Sequence, residues 1–287
     1  MRFSIMNAVA TVLIGAGGLI VPQVLQAAEA PQMGGGYTNV VAIPVQDPAA
    51  KEIAGVLFKP QGAGPFPAIV YMPTCGGPNF PLELQNEKSV TERMLSKGIA
   101  IFIVDPVTPR GLNEGNCDKL LTVLPDVQNK NEAVLRILQQ GGDDAVAALK
   151  VVKAMPGIDP KKIVLMGLSA GATASLRATD PKASGANDTE VAGVVAYYPL
   201  CQDTVAASVP TLILIGGEDD WTGPVAACEA LKGKNNFEVA VYPGATHAFN
   251  MRFDKPVDFA GHHLAFDERS AEEAEQRVDA FIDAHLK

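Results

Sequence analysis

Apolar residues recur along most of the chain as short, nearly unbroken runs separated by stretches of helical period. The runs at 68–72, 99–104, 163–166, 191–198, 211–215 and 238–242 carry few polar residues, the pattern of parallel strands buried on both faces. Residues 40–45 and 53–58 read as an opening pair of strands, and 82–96, 132–155, 170–178, 225–231 and 271–286 read as helices. Strand and helix alternating at this spacing predict an α/β fold with a doubly wound, mostly parallel sheet. No internal repeat breaks the pattern, so residues 31–287 read as one domain. Few residues separate the run ending at Tyr198 from the one starting at Thr211, which leaves little or no room for a lid domain. The long irregular stretch 106–131 is then expected to wall any pocket.

The first thirty residues differ from the rest. Arg2 supplies a positive start, residues 8–21 form an apolar stretch, and Ala28-Glu29-Ala30 offers a small-residue cleavage site. This is the pattern of a cleaved secretory signal peptide, since the apolar stretch is shorter than the roughly 20 residues a spanning helix needs. A secreted or periplasmic protein with no stable membrane anchor is therefore expected. An oxidising compartment changes the meaning of Cys75, Cys117, Cys201 and Cys228. Their places after successive strands favour Cys75 with Cys117 and Cys201 with Cys228, against the alternative of four buried thiols.

Composition narrows the partners. Of 287 residues, 47% are hydrophobic and 19% charged, enough apolar material for a large core. The formal net charge of -9 arises from scattered acids, and no basic stripe is present to follow phosphates, which argues against nucleic acid. No clustered histidines, closely spaced cysteine pair or Gly-rich dinucleotide fingerprint is present, so no metal and no cofactor are expected.

The most informative chemistry is Gly167-Leu168-Ser169-Ala170-Gly171, a G-x-S-x-G motif placed between a strand run and a helix pattern. In that context the serine sits on a sharp turn with its hydroxyl exposed above the sheet. A serine is a weak nucleophile unless a base takes its proton, and a base needs an acid to orient it. Both types follow later strands: Glu218-Asp219-Asp220 after 211–215, and His247 after 238–242. The order Ser169, Asp219, His247 is that of α/β-hydrolases. His285 falls in the terminal helix, and His262 and His263 in an irregular segment. Among the three contiguous acids, adjacent side chains leave the backbone at different angles, so one is expected to reach His247; Asp219 is preferred over Asp220.

From these residues the chain resembles the dienelactone hydrolase family of the α/β-hydrolase superfamily, as a secreted member with a serine nucleophile. The likeness runs through Pro65-Phe66-Pro67-Ala68-Ile69-Val70 into Cys75-Gly76-Gly77, then Pro109-Arg110-Gly111, Gly157-Ile158-Asp159-Pro160, Asp219-Asp220-Trp221-Thr222 and His247-Ala248-Phe249-Asn250. The resemblance places the acid three residues after Gly216, at Asp219. It implies an oxyanion hole from the backbone N–H groups of Cys75 and Ala170, and an arginine near Arg110 that reads a substrate carboxylate. A structural ion pair is the other reading of Arg110. The founding enzymes carry cysteine at the elbow and a glutamate in the loop after 68–72. Here the elbow holds Ser169 and the loop Pro73-Thr74-Cys75-Gly76-Gly77 has no acid, which supports neither a thiolate mechanism nor dienelactone as substrate.

The implied activity is hydrolysis of a small-molecule carboxylic ester or lactone through an acyl-enzyme. A serine peptidase or acyltransferase on the same fold is an alternative, as is a binding protein that kept the fold without catalysis. The intact set of Ser169, Asp219 and His247 argues against the last, because binding requires none of it. Phe249, Phe253 and Phe259 read as core or rim packing. Asp143, Asp144, Glu272, Glu273 and Glu275 read as solvated helix surface.

Overall fold

The computed structural model describes residues 32–112, 132–181, 190–201, 206–234, 236–259 and 261–287. The expected leader at 1–30 and Cys117 lie outside the described residues.

Eight strands form one sheet: β1 (Val41–Asp47), β2 (Ala50–Phe58), β3 (Phe66–Met72), β4 (Ala100–Asp105), β5 (Ile158–Leu168), β6 (Gly193–Tyr197), β7 (Thr211–Gly216) and β8 (Phe237–Tyr242). Their order is β1-β2-β4-β3-β5-β6-β7-β8. β2 pairs antiparallel with both β1 and β4, and every other neighbour pair is parallel. Burial follows position in this order. Every residue of β4, β6 and β7 is buried, as central strands covered on both faces require, whereas β1 at the edge is mostly half-buried or exposed.

The helices are α1 (Pro81–Ser96), α2 (Glu132–Lys153), α3 (Ala170–Ala178), α4 (Val225–Glu229) and α5 (Glu268–Leu286). α5 begins three residues earlier than its apolar period suggests, because Asp267 caps it by accepting the Ser270 N–H at 2.7 Å. An ion pair between Arg93 and Asp279 at 2.7 Å ties α5 to α1. This helix-flanked, mostly parallel sheet is the doubly wound α/β architecture that the alternation predicts, and its antiparallel second strand fits the α/β-hydrolase fold that the resemblance implies.

One expectation fails: His262 and His263 are not in an irregular segment. They belong to β10 (His262–Leu264), which pairs antiparallel with β9 (Val257–Phe259). Three-residue strands are too short to reveal a period of two, so only the pairing shows them.

Cys201, just after β6, is bonded to Cys228 on α4. The pairing is the one favoured from the sequence, and on the chain-entropy model it contributes roughly 3 to 4 kcal/mol. Cys75 is also disulfide-bonded. Among the described residues no helix is long and apolar enough to cross a membrane.

Candidate active site

The site forms where β5, β7 and β8 end at the same edge of the sheet. Ser169 follows β5 directly and starts α3, with φ 53° and ψ -113°, a conformation a non-glycine residue holds only when its surroundings impose it. They do so by close approach. A Cβ on Gly167 would lie 2.2 Å from the Gly171 carbonyl oxygen, and one on Gly171 would lie 2.1 Å from that of Met72. The turn is held by the Ser169 N–H donating to Tyr197 O at 2.9 Å and by the Thr173 N–H donating to Ser169 O at 3.0 Å.

Three side chains converge there. Ser169 Oγ lies 3.1 Å from His247 Nε2, and His247 Nδ1 lies 2.9 Å from Asp219 Oδ2. All three residues are buried. Asp219 Oδ1 also accepts the N–H groups of Trp221 and Thr222, at 2.9 and 3.2 Å. Burial alone would push the Asp219 carboxyl up, but the His247 imidazole and these two donors outweigh it and hold the group below the usual carboxylate range. Asp220 points elsewhere, to His262 Nδ1 at 3.0 Å, with its side chain 59% exposed; Glu218 is exposed as well. Of the three contiguous acids, Asp219 is the one in contact with His247.

The imidazole is confined on two sides. Trp221 stacks on it with ring centroids 5.0 Å apart, and Tyr198 lies against it at 4.5 Å. Trp221 in turn stacks on His262 and on Phe259, which is partly exposed and packs at the rim, one of the two places expected for it. Phe249 is fully buried and touches Tyr197, Tyr198 and Tyr242.

A cavity of about 320 Å³ opens beside Ser169, lined by Cys75 and Ala170 among others. Arg110 also lines it, but its guanidinium is already engaged. Nη1 and Nη2 donate to the two oxygens of Asp144 at 2.8 Å each, Nη1 donates to Pro106 O at 2.7 Å, and Nε donates to Asp47. Of the two readings of Arg110, the geometry is that of an ion pair. Asp144 thereby corrects an expectation, since it is not on the solvated face of α2 but buried, with its side chain only 4% exposed. Asp143 beside it is exposed, as are Glu272, Glu273 and Glu275.

Sequence reasoning missed a second set of acids beneath the loop that carries Cys75. Glu83 and Glu87, one turn apart on α1, are both fully buried. Glu83 accepts the Tyr71 O–H at 2.6 Å and the Thr74 N–H at 3.1 Å, so it holds the backbone next to Cys75. Glu87 accepts the Tyr37 O–H at 2.8 Å. The signal lay in α1 itself, where 83, 87, 91 and 94 share one face at helical spacing and put two acids on the buried side.

Burial, and then the neighbouring Glu83, push the Glu87 carboxyl up to about 9. A carboxyl raised on folding binds its proton where the unfolded chain has lost it. Its stabilisation is complete below the unfolded value and is lost as pH rises toward that of the folded state. Calorimetry should accordingly show the wild-type Tm falling between about pH 5 and about pH 9 more steeply than that of Glu87→Gln. Equal slopes for the two proteins would remove Glu87 as the cause.

Among the described residues no group of three or more His, Cys, Asp or Glu side chains is placed to hold a metal ion.

Residues 53–286 match the model of the dienelactone hydrolase family. Comparison with curated proteins gives no match. Solved structures share the fold at low identity. A dienelactone hydrolase from Anabaena variabilis is 19% identical, over 90% of this chain and 99% of that one, with a TM-score of 0.56. A dienelactone hydrolase-like promiscuous phosphotriesterase from metagenomic libraries is 16% identical, over 86% and 98%, at 0.60. Esterase 2 of Thermogutta terrifontis, phosphonylated by cyclosarin, is 17% identical, over 88% and 96%, at 0.57.

Proposed function

The chain belongs to the dienelactone hydrolase family, whose members are hydrolases acting on ester bonds, and from that premise we propose that it cleaves a carboxylic ester or lactone with Ser169 as nucleophile. The observation that carries this reading is the unbroken contact from Ser169 Oγ through His247 to Asp219, with 3.1 and 2.9 Å at its two links. Separations of this size are within hydrogen-bond reach, which proton transfer demands.

In the proposed reaction His247 Nε2 takes the proton of Ser169 as Oγ attacks the carbonyl carbon. The developing oxyanion is held by the N–H groups of Cys75 and Ala170, the second of them at the first turn of α3. The tetrahedral intermediate collapses, the leaving alkoxide takes the proton from His247, and the acyl group stays on Oγ. Water then attacks the acyl-enzyme with His247 again as base, releasing the acid and restoring Ser169. Asp219, kept ionised, fixes the Nδ1–H tautomer and stabilises the imidazolium between the two transfers. Tyr198 and Trp221 limit rotation of the ring.

The phosphonylated state of the Thermogutta esterase supplies a probe. A fluorophosphonate should abolish hydrolysis of 4-nitrophenyl butyrate and add one phosphonyl group to the peptide containing Ser169, read by mass spectrometry. Label on any other residue, or hydrolysis that survives full labelling, would overturn the assignment.

Export is part of the same proposal. Residues 1–30 are read as a cleaved leader, and the Cys201–Cys228 bond supports a secreted or periplasmic location.

A further inference from the structure

The cavity beside Ser169 bears on which esters can enter. Its wall is mostly apolar, with Met72, Val107, Leu138 and Leu200 among its residues. Leu112 and Ile137, which rank among the exposed large hydrophobics, also face into it. At about 320 Å³ it lies at the small end of ligand cavities, which run from roughly 300 to 1,000 Å³.

Among the described lining residues, Arg110 and Asp144 are the charged ones. A substrate carboxylate entering this space needs a cation with donors to spare, since a carboxylate stripped of water is costly unless paired. Arg110 is not such a cation. One guanidinium faces two carboxylates, Asp144 on its Nη edge in a bidentate pair and Asp47 on Nε, while Gln140 Nε2 donates to the same Asp47 oxygen. The side chains of Arg110, Asp47 and Asp144 are 5%, 7% and 4% exposed, so water screens the arrangement little. Burial would lower the Arg110 guanidinium, but Asp144 and Asp47 outweigh it and hold the proton more firmly than usual. With one guanidinium against two carboxylates, the cluster has a formal charge of -1, which disfavours an anion.

We infer that the site takes small uncharged esters with an apolar group beside the scissile carbonyl and rejects esters that carry a carboxylate. The inference rests on the proposed ester hydrolysis at Ser169 and adds the substrate class. Arg110 in this chain shapes the cavity as part of a closed ion-pair cluster instead of reading substrate charge.

The test compares mono-4-nitrophenyl adipate with its methyl ester, 4-nitrophenyl methyl adipate, on the oxidised protein. The two share the leaving group and differ in one charge. The neutral compound should have a kcat/KM about 100-fold higher or more. Asp144→Asn removes one of the two compensating charges while keeping the shape, and should shrink that ratio to about 10-fold or less. Equal rates on the two compounds, or a ratio unmoved by Asp144→Asn, would overturn the inference. Calorimetric binding to Ser169→Ala supplies a readout independent of turnover: the methyl ester should bind more tightly than the free acid. Tighter binding of the acid, or binding of neither, would also overturn it. Retained hydrolysis in Ser169→Ala would instead strike the Ser169 assignment, so the two failures are distinguishable.

Discussion

Ser169→Ala should lower kcat/KM for 4-nitrophenyl butyrate by about 10⁴-fold or more, with the Tm nearly unchanged. The expected size follows from the geometry. Ser169 Oγ is the atom that faces His247 Nε2, and no other hydroxyl among the described residues makes that contact. Removing Oγ leaves no oxygen to be acylated, and what remains is the contribution of the oxyanion donors and of binding. The fold should tolerate the change because the backbone holds the elbow. Ser169 N–H and Ser169 O keep their bonds to Tyr197 and Thr173, and the tight approach of Gly171 to Met72 is untouched. Activity within tenfold of wild type would mean that the convergence at Ser169 is not the reacting centre.

Asp219→Asn should cost nearly as much, about 10⁴-fold in kcat, while Asp220→Asn should stay within about threefold of wild type. In Asp219→Asn the amide oxygen can still accept the Trp221 and Thr222 N–H groups, which turns the amide nitrogen toward His247 Nδ1. That nitrogen donates a hydrogen bond where the carboxylate accepted one. The imidazole is then driven to carry its proton on Nε2, the atom that must accept the serine proton, and the positive charge formed in the reaction loses its partner. Asp220 loses only an exposed contact with His262, of the kind worth at most about 1 kcal/mol. Steady-state kinetics on the two variants checks both halves. A severe loss in Asp220→Asn with a mild one in Asp219→Asn would reverse the roles.

Much of the fold was legible because buried parallel strands have a local signature. β4, β6 and β7 are apolar at nearly every position, and their runs stand out from the helical stretches between them. The elbow was legible for a related reason. Gly167 and Gly171 are required by a turn whose atoms are close in sequence, and the order of the three loops follows from strand order. Boundaries were less legible. β5 starts at Ile158, five residues before the apolar run, because Asp159, Lys161 and Lys162 extend it without being buried. The pair β9 and β10 was lost through its shortness.

The candidate chemistry divides along the same line. By itself the sequence determined the α/β class, the strand-turn-helix setting of Ser169, the chain order of Ser169, Asp219 and His247, and the neighbourhood that joins Cys201 to Cys228. Each depends on local period, on turn residues, or on the rule that successive strands end on one edge. Only the tertiary structure decided which carboxylate meets His247, that Asp47 and Asp144 enclose Arg110 across 63 and 34 residues, and that Glu83 and Glu87 are buried under the loop of Cys75. A charged residue in a helix carries the same letter whether it faces water or a guanidinium. What separates the two cases is the desolvation cost and the partner that offsets it, and both are set by chain segments far away in sequence.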